Sequence, residues 1–209
     1  MDIKNFEIAF ANREACADGY TKPSAVLVPL IEINGTLNFL ITQRAFNMKH
    51  QPGDFCFPGG RSEGIETPVE TALRETFEEL GIPRENVTVL GPCDFIISSF
   101  GAHIKPFLGT INNFDIKNIK INQDEVEKVL FIPIDFFLKA EPMAKIIRFE
   151  PVFPSDFPFD LILGGKNYKW GEVTNNQTFY DYEGNIIWGL TAKIIDNIKS
   201  ILKKHNVDN

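Results

Sequence analysis

The chain has 209 residues, of which 44% are hydrophobic and 23% are charged, and its formal net charge is −7. This length and balance predict a single ordinary globular domain over residues 1–209. The acidic charge argues against nucleic acid as a partner, because surfaces that bind nucleic acid are basic. The longest clean apolar run, residues 25–31, is too short to span a bilayer, so we expect no membrane partner.

The cysteines and the start of the chain predict a cellular location. Cys16, Cys56 and Cys93 are widely spaced and form neither a CxxC pair nor a zinc pattern. They are predicted to be free, mostly buried thiols in a reducing compartment. The first residues lack the basic flank and apolar core of a signal peptide, so we expect the cytoplasm.

The first part of the chain combines helix, strand and turn patterns. In chain order, the predicted elements are an amphipathic helix over 3–18, a strand over 24–34, the hairpin turn Asn34-Gly35, a strand over 37–43, the turn Pro52-Gly53 and an extended segment over 54–57. A central helix follows and is treated below.

The second part of the chain is richer in strands. The predicted elements are strands over 87–90, 94–98, 104–111, 116–121, 126–132 and 144–153, a helical turn over 134–139, irregular structure over 151–172, a hairpin over 178–187 and an amphipathic helix over 188–205. This order predicts an α/β layered domain with a mixed sheet. Its core spans about residues 20–140, followed by a C-terminal elaboration and the terminal helix 188–205.

The apolar stretch 144–170 allows two interpretations. It is either the contact of a homodimer or a wall on the substrate side. The sequence does not decide between them, so a homodimer stays among the expected partners.

The central helix has agreeing start and stop signals. Thr67 is a candidate cap, Pro68 suits the first helical position, and Glu70 completes a capping box. Gly81 is able to take the left-handed conformation that ends a helix. We therefore predict a helix from Pro68 to Leu80.

A helical wheel divides this helix into a packing face and an acidic face. Glu75, Glu78 and Glu79 fall together, opposite the residues predicted to point inward: Val69, Ala72, Leu73, Thr76, Phe77 and Leu80. The three carboxylates repel one another, and a hard divalent cation among their oxygens offsets that cost. Arg74 is placed to hold a carboxylate by a forked salt bridge. The alternative is a merely solvated acidic face.

The spacing around this helix resembles that of a known family. Gly60, Glu66 and the run from Arg74 to Ile82 follow the Nudix box, G-x5-E-x7-R-E-U-x-E-E-x-G-U with U aliphatic. Thr76 departs from it, because an aliphatic residue is usual there. The resemblance implies a Nudix fold, an α/β/α sandwich with a central mixed β-sheet, and hydrolysis of a nucleoside diphosphate linked to a further group.

The same resemblance implies roles for site residues. Glu75, Glu78 and Glu79 would bind Mg²⁺ or Mn²⁺, with Glu66 and Arg74 supporting the site. Glu75 and Glu78 belong to the expected catalytic set, with Glu75 as the preferred base. Glu125, in the acidic turn before a predicted strand, is the candidate base outside the box. The alternative for Glu125 is an exposed acidic turn.

The segment before the box resembles a more specific pattern. Residues 40–60 follow LLTxR(S/A)x3Rx3Gx3FPGG of the coenzyme A diphosphatase branch, with Ile41 for a Leu and Lys49 for an Arg. This implies hydrolysis of coenzyme A or its derivatives to adenosine 3′,5′-bisphosphate and 4′-phosphopantetheine. Arg44 and Lys49 would bind phosphate, although both also suit plain surface charges, and Lys49 lacks the forked guanidinium.

Several further points follow from the same segment and its alternatives. Gly59 and Gly60 would let the backbone approach the phosphates closely. His50 is open between a surface and a site-lining position, and Trp188 is favoured as a core residue over a ligand platform.

Other candidate substrates are ADP-ribose, a nucleotide sugar or a dinucleotide. A non-catalytic nucleotide-binding regulatory module is disfavoured, because all the box carboxylates are present.

Overall fold

A computed structural model of the chain describes residues 2–13, 24–97 and 103–205. The strands are β1 (Ser24–Ile33), β2 (Thr36–Arg44), β3 (Phe55–Cys56), β4 (Gly59–Arg61), β5 (Val87–Pro92), β6 (Ile96–Ile97), β7 (His103–Ile111), β8 (Val126–Pro133), β9 (Met143–Phe149), β10 (Val173–Tyr182) and β11 (Asn185–Trp188). The helices are α1 (Ile3–Phe10), α2 (Pro68–Leu80), α3 (Ile134–Lys139) and α4 (Gly189–Lys204). None of the helices in these ranges is both long and apolar enough to cross a membrane.

The main sheet is mixed, as predicted. β1 and β7 are parallel, and the other pairs, including β1–β2, β2–β8 and β5–β7, are antiparallel. The β1–β2 hairpin turns at Asn34-Gly35, where both residues have positive φ, which matches a tight hairpin turn.

β1 and β2 separate toward one end of the sheet. They pair from Leu30–Ile33 to Thr36–Phe39, but beyond that point β1 pairs with β4 and β2 pairs with β3. The short strands β3 and β4 therefore fill the gap between the two longer ones. This gap brings Gly59 and Gly60 into the sheet beside Ala25 and Val26, which is where the candidate site lies.

Helices cover both faces of the main sheet. On one face, α2 packs over small and aliphatic residues such as Ala25, Leu27 and Ile31. On the other face, α3 and α4 enclose the larger core, which contains Phe39, Phe137 and Tyr180. The predicted α/β/α sandwich with a central mixed sheet is confirmed.

A second sheet has the order β11-β10-β9 and is antiparallel. One face of it packs on α4 through Tyr180 and Ile187, which are almost fully buried. α4 is in turn tied to the main sheet, because the Thr191 hydroxyl donates a buried hydrogen bond of 2.8 Å to the Phe55 carbonyl of β3.

One predicted strand is wrong. Residues 116–121 form a 3-10 turn (Ile116–Asn118) and an extended loop, although their alternating pattern favoured a strand. Ile116, Ile119 and Ile121 do pack inward, so the alternating pattern correctly predicted which side chains are partly buried. The backbone serves another element instead: the Lys120 N–H donates to the Leu80 carbonyl and closes the end of α2.

Other differences concern lengths. α1 ends at Phe10, short of the predicted helix 3–18, whose residues 14–18 lie outside the described ranges. The strand predicted over 94–98 is reduced to Ile96–Ile97, with Ser98 outside those ranges, and the strand predicted over 144–153 ends at Phe149. The hairpin around Glu183-Gly184 and the terminal helix are confirmed.

Replacing Thr191 with Val tests the tie between α4 and β3. Val keeps the shape but leaves the buried Phe55 carbonyl without this donor, so the free energy of unfolding should fall by about 1–3 kcal/mol. Urea unfolding measures the change. Thr174→Val, on the exposed part of β10, is the control and should change it by less than about 0.5 kcal/mol. Equal effects of the two substitutions would contradict the tie.

Candidate active site

The sequence signals place α2 as predicted. The Thr67 hydroxyl accepts from the Glu70 N–H, and the Glu70 carboxylate accepts from the Thr67 N–H at 2.9 Å, which completes the capping box. Gly81 ends the helix in the left-handed conformation. The bounds of α2 are therefore the predicted ones, Pro68–Leu80.

The helical wheel was correct for most of the packing face but not all of it. Ala72, Leu73, Thr76 and Leu80 are buried, whereas Phe77 is 54% exposed and is not a packing residue. Glu79, assigned to the acidic outer face, is only 6% exposed. Thr76 donates its hydroxyl to the Ala72 carbonyl at 2.7 Å, which satisfies the polar group at the position where the family pattern has an aliphatic residue.

Arg74 joins the box carboxylates. Its guanidinium binds Glu66 at 2.8 Å, Glu75 at 3.0 Å and Glu78 at 2.7 Å. The bonds from Arg74 are the first cause that holds the pKa of Glu66 at about 2, with further bonds from the Glu63 N–H and the Thr71 hydroxyl. Glu66 and Arg74 thus form the support that their positions in the box imply.

Glu79 is anchored in the sheet. Its carboxylate accepts from the Gly59 N–H at 3.2 Å. Burial, together with the charges of Glu75 and Glu125, raises the pKa of Glu79 to about 8, although the Gly59 N–H and Arg44 act to lower it. Glu75, Glu79 and Glu125 therefore lie in one region, where negative charges outnumber positive ones.

Gly59 and Gly60 make room for the two carboxylates. Gly59 has a φ of 155°, and a Cβ there would collide with the backbone of β1 at Ala25 and Val26. A Cβ at Gly60 would collide with the Glu75 carboxylate itself. The contacts of these glycines in the structure are thus with the protein, and a contact with phosphate stays a prediction.

Glu125 lies at the edge of this region, outside the helix. It is half-buried, and its backbone carbonyl accepts from the Ala45 N–H at 2.9 Å, directly after Arg44. Burial raises the pKa of Glu75, and the Glu125 charge contributes to that rise. The structure therefore brings the predicted outside carboxylate to the box, rather than leaving it in a solvated turn.

The two predicted phosphate-binding cations lie in different surroundings. Arg44 lies close enough to the carboxylates for its charge to lower the pKa of Glu79. Its Nε donates to the His50 carbonyl at 3.1 Å. Within the described ranges it has no ion pair. Lys49 and His50 are exposed on the loop that follows, away from the buried region.

Cys56 is a site residue that sequence reasoning missed. It is half-buried on β3, and its sulfur lies 3.3 Å from the Thr42 hydroxyl. Burial raises the pKa of Cys56 and the Glu79 charge raises it further, whereas Thr42 and Arg44 oppose the rise. Thr42 pairs directly with Cys56 across β2 and β3, and a bulge interrupts β2 between Gln43 and Arg44. The local sequence therefore carried no signal for this neighbourhood, because it depends on strand pairing.

The donor set suits a divalent cation. Carboxylates are the ligands that Mg²⁺ and Mn²⁺ prefer, and burial, with neighbouring negative charge, raises the pKa of both Glu75 and Glu79. In the part of the chain that the structure describes, no three Asp, Glu, His or Cys side chains form a ready ligand group. Glu75 and Glu78 are turned to Arg74, and Glu79 to Gly59. The carboxylates fit such an ion chemically, and Glu75 and Glu78 would have to turn from Arg74 toward Glu79 to hold it.

Comparison with known proteins identifies the class. The NUDIX domain profile matches residues 21–148, so the chain belongs to the Nudix family. Nudix hydrolase 3 of Caenorhabditis elegans is 32% identical over 182 residues, which are 85% of this chain and 72% of that protein. The chain is an enzyme, a Nudix pyrophosphohydrolase.

Two further relatives are more partial. The peroxisomal coenzyme A diphosphatase NUDT7 of Mus musculus is 37% identical over 119 residues, which are 56% of this chain and 49% of that protein. A crystal structure of a C. elegans Ap4A hydrolase binary complex has a TM-score of 0.47 and 24% identity, covering 54% of this chain and 80% of that chain.

Replacing Gly60 with Ala should displace the Glu75 carboxylate, because a Cβ there occupies its space. A displacement of about 1 Å in a catalytic group lowers kcat by about a hundredfold. Steady-state kinetics on a substrate that the wild-type enzyme hydrolyses would measure the loss. Gly91→Ala, which adds a Cβ in open space, should retain wild-type kcat. Full activity of the Gly60 variant would disprove the packing argument.

Glu66 should make stability depend on acidic pH. Its folded-state pKa of about 2 lies below the ordinary 4.5, so its stabilising effect is complete above about pH 4.5 and is lost as the pH falls toward 2. The stability difference between the wild type and Glu66→Gln should therefore shrink over that range. Urea unfolding with a chelator present measures it. Glu63→Gln, whose side chain has no partner in the described ranges, should show no such dependence; the same dependence in both variants would contradict the assignment.

Proposed function

We propose that the enzyme hydrolyses coenzyme A or one of its derivatives to adenosine 3′,5′-bisphosphate and 4′-phosphopantetheine. The observation that carries this proposal is the position of Arg44. This cation of the upstream motif lies beside the buried Glu79, with no ion pair to a carboxylate in the described ranges. The partial similarity to a protein named as a coenzyme A diphosphatase supports the same substrate.

Arg44 has the chemistry and the position to bind a phosphate. The ends of its loop are fixed, because the Arg44 N–H donates to the Asp54 carbonyl and the Gly53 N–H donates back to the Arg44 carbonyl. With Nε held by His50, the terminal nitrogens stay available for an anion. Coenzyme A carries a 3′-phosphate besides its pyrophosphate. We assign the exposed Lys49 on the same loop as the cation that binds this additional phosphate.

We infer Mg²⁺ or Mn²⁺ as the cofactor, held by Glu75, Glu78 and Glu79. When bound, such an ion neutralises phosphate oxygens and lowers the pKa of the attacking water. Glu79 is already fixed by Gly59, so it would act as the rigid ligand of the set. Arg74 would lose part of its hold on Glu75 and Glu78 and keep Glu66.

The reaction needs a group that removes a proton from water. Water oxygen forms a bond to one phosphorus atom, the bond from that atom to the bridging oxygen breaks, and the negative charge remains on the released phosphate. Glu75 is our first choice of base, and Glu125 is the second. Glu125 has no ion pair in the described part of the chain and lies beside both Glu75 and Glu79, so it is free to accept the proton.

The cellular setting rests on the sequence alone. A cytoplasmic location and a single domain with a core over about 20–140 stay predictions. Cys56 and Cys93 are free thiols in the structure, and burial raises the pKa of Cys93 to about 11, which keeps that thiol protonated.

A substrate panel with Mg²⁺ tests the proposed function. Coenzyme A, 3′-dephospho-coenzyme A, ADP-ribose, a nucleotide sugar and a dinucleotide would be compared by kcat/KM, with product identification by mass spectrometry. We expect coenzyme A or an acyl derivative to give the highest value, and a chelator to abolish turnover. A rate for ADP-ribose far above that for coenzyme A would reject the proposal and favour the broader Nudix alternative.

Two variants show whether the loop cations recognise phosphate. Arg44→Gln should lower kcat/KM for coenzyme A by about tenfold to a hundredfold, because a charged hydrogen bond to phosphate is lost. If Lys49 binds the 3′-phosphate, Lys49→Gln should lower the preference for coenzyme A over its dephospho form. Lys204→Gln, an exposed lysine at the C-terminal end of α4, is the matched control.

A further inference from the structure

The sheet β9–β10–β11 is covered by α4 on part of one face, and its other face is open. Tyr180 and Ile187 pair across β10 and β11 and are buried against α4. Neighbouring residues along each strand point the other way. The strand register assigns seven apolar residues to that other side, which we name the outer ribbon face: Met143, Ile147, Phe149, Val173, Phe179, Ile186 and Trp188.

This face is apolar and accessible to solvent. Five of its seven apolar side chains are between 40% and 60% exposed, and the other two, Phe149 and Phe179, are half-buried. Phe179 and Trp188 stack with parallel rings at its centre, with centroids 5.8 Å apart. Trp188 is thus not the core residue that the sequence favoured. Contiguous exposed apolar surface of this kind marks an interaction site.

Two opposite charges border the outer ribbon face. Lys145 pairs with Gln177 across β9 and β10, and Asp181 lies four residues further along β10. That separation is about 14 Å along the strand, too far for an ion pair within one chain. Neither charge has an ion-pair partner among the described residues. The face is therefore neutral, although the chain carries a net charge of −7.

The arrangement of the charges is self-complementary. Phe179 lies midway between the rows of Lys145 and Asp181, and it pairs with Met143. A twofold axis at the Phe179–Met143 pair exchanges these two rows. It therefore sets Lys145 of one copy against Asp181 of the other, with Phe179 and Trp188 packed at the centre. This is the condition for an isologous interface, in which one patch must complement itself.

We propose that the outer ribbon face is the interface of a homodimer. A neutral, self-complementary patch on an acidic chain suits another copy of the same chain, whereas anionic lipids or nucleic acids would require excess positive charge there. The interface lies on the sheet face opposite α4, so the proposal does not depend on which pyrophosphate the enzyme hydrolyses.

Sedimentation equilibrium of the full chain tests the proposal. The wild type is expected to behave as a dimer at micromolar concentration. Lys145→Glu should raise the dimer dissociation constant by roughly tenfold or more, because it places a like charge opposite Asp181 of the other copy, at both of the contacts that the twofold axis relates. Arg148→Glu makes the same charge change on the opposite side of β9 and should leave the constant near its wild-type value.

Charge exchange gives the sharper result. The double variant Lys145→Glu with Asp181→Lys should restore the dimer, because the pair is reversed and not removed. Asp181 also accepts the Gly184 N–H in the hairpin turn, so circular dichroism must show that the variant is folded.

A second pair of variants is independent of that turn. Ile147→Asp should dissociate the dimer and Ile146→Asp should not, since these neighbours lie on opposite faces of the same strand. A wild-type chain that is monomeric at every concentration would overturn the proposal. So would equal effects of the Lys145 and Arg148 variants, or of the Ile147 and Ile146 variants. A monomer that sediments with neutral phosphatidylcholine vesicles would assign the face to a lipid surface instead.

Discussion

The candidate site depends on the close approach of α2 to β4. Two consecutive residues without side chains, Gly59 and Gly60, let the carboxylates of Glu79 and Glu75 reach the sheet. A buried carboxylate is costly unless it is hydrogen-bonded, and the Gly59 N–H supplies one bond for Glu79. The gap between β1 and β2 is what puts this glycine pair inside the sheet, so hairpin geometry and site geometry are linked.

The positive charge of one arginine offsets the negative charges of several carboxylates. Arg74 binds Glu66, Glu75 and Glu78, whereas Glu79 and Glu125 lie on the side toward Arg44. The site thus has a neutralised part, which fixes the loop before α2, and a part that still lacks positive charge. That imbalance is unfavourable by itself, and it is the condition under which a metal ion and a phosphate bind strongly.

Local signals in the sequence were sufficient for local structure. Thr67, Glu70 and Gly81 determined the ends of α2, because caps depend on neighbours within one turn. The burial of Glu79 and the exposure of Phe77 were not predictable from the wheel, since they depend on where β4 crosses the helix. Residues 116–121 alternate like a strand, but the Lys120 N–H bonds to the end of α2 and not to a sheet. Cys56 became part of the site only through its strand neighbours.

The hydrogen bond from Thr191 to Phe55 joins residues 136 positions apart. During synthesis the chain emerges from its N-terminal end, so the strands and the box are made long before α4. Until that helix arrives, the Phe55 carbonyl lacks its buried donor and one face of the main sheet lacks its cover. The catalytic motif is therefore complete early, whereas the scaffold beneath it is completed last. A nascent chain of this enzyme passes through a stage in which the residues of the motif are already synthesised but the scaffold that positions them is incomplete.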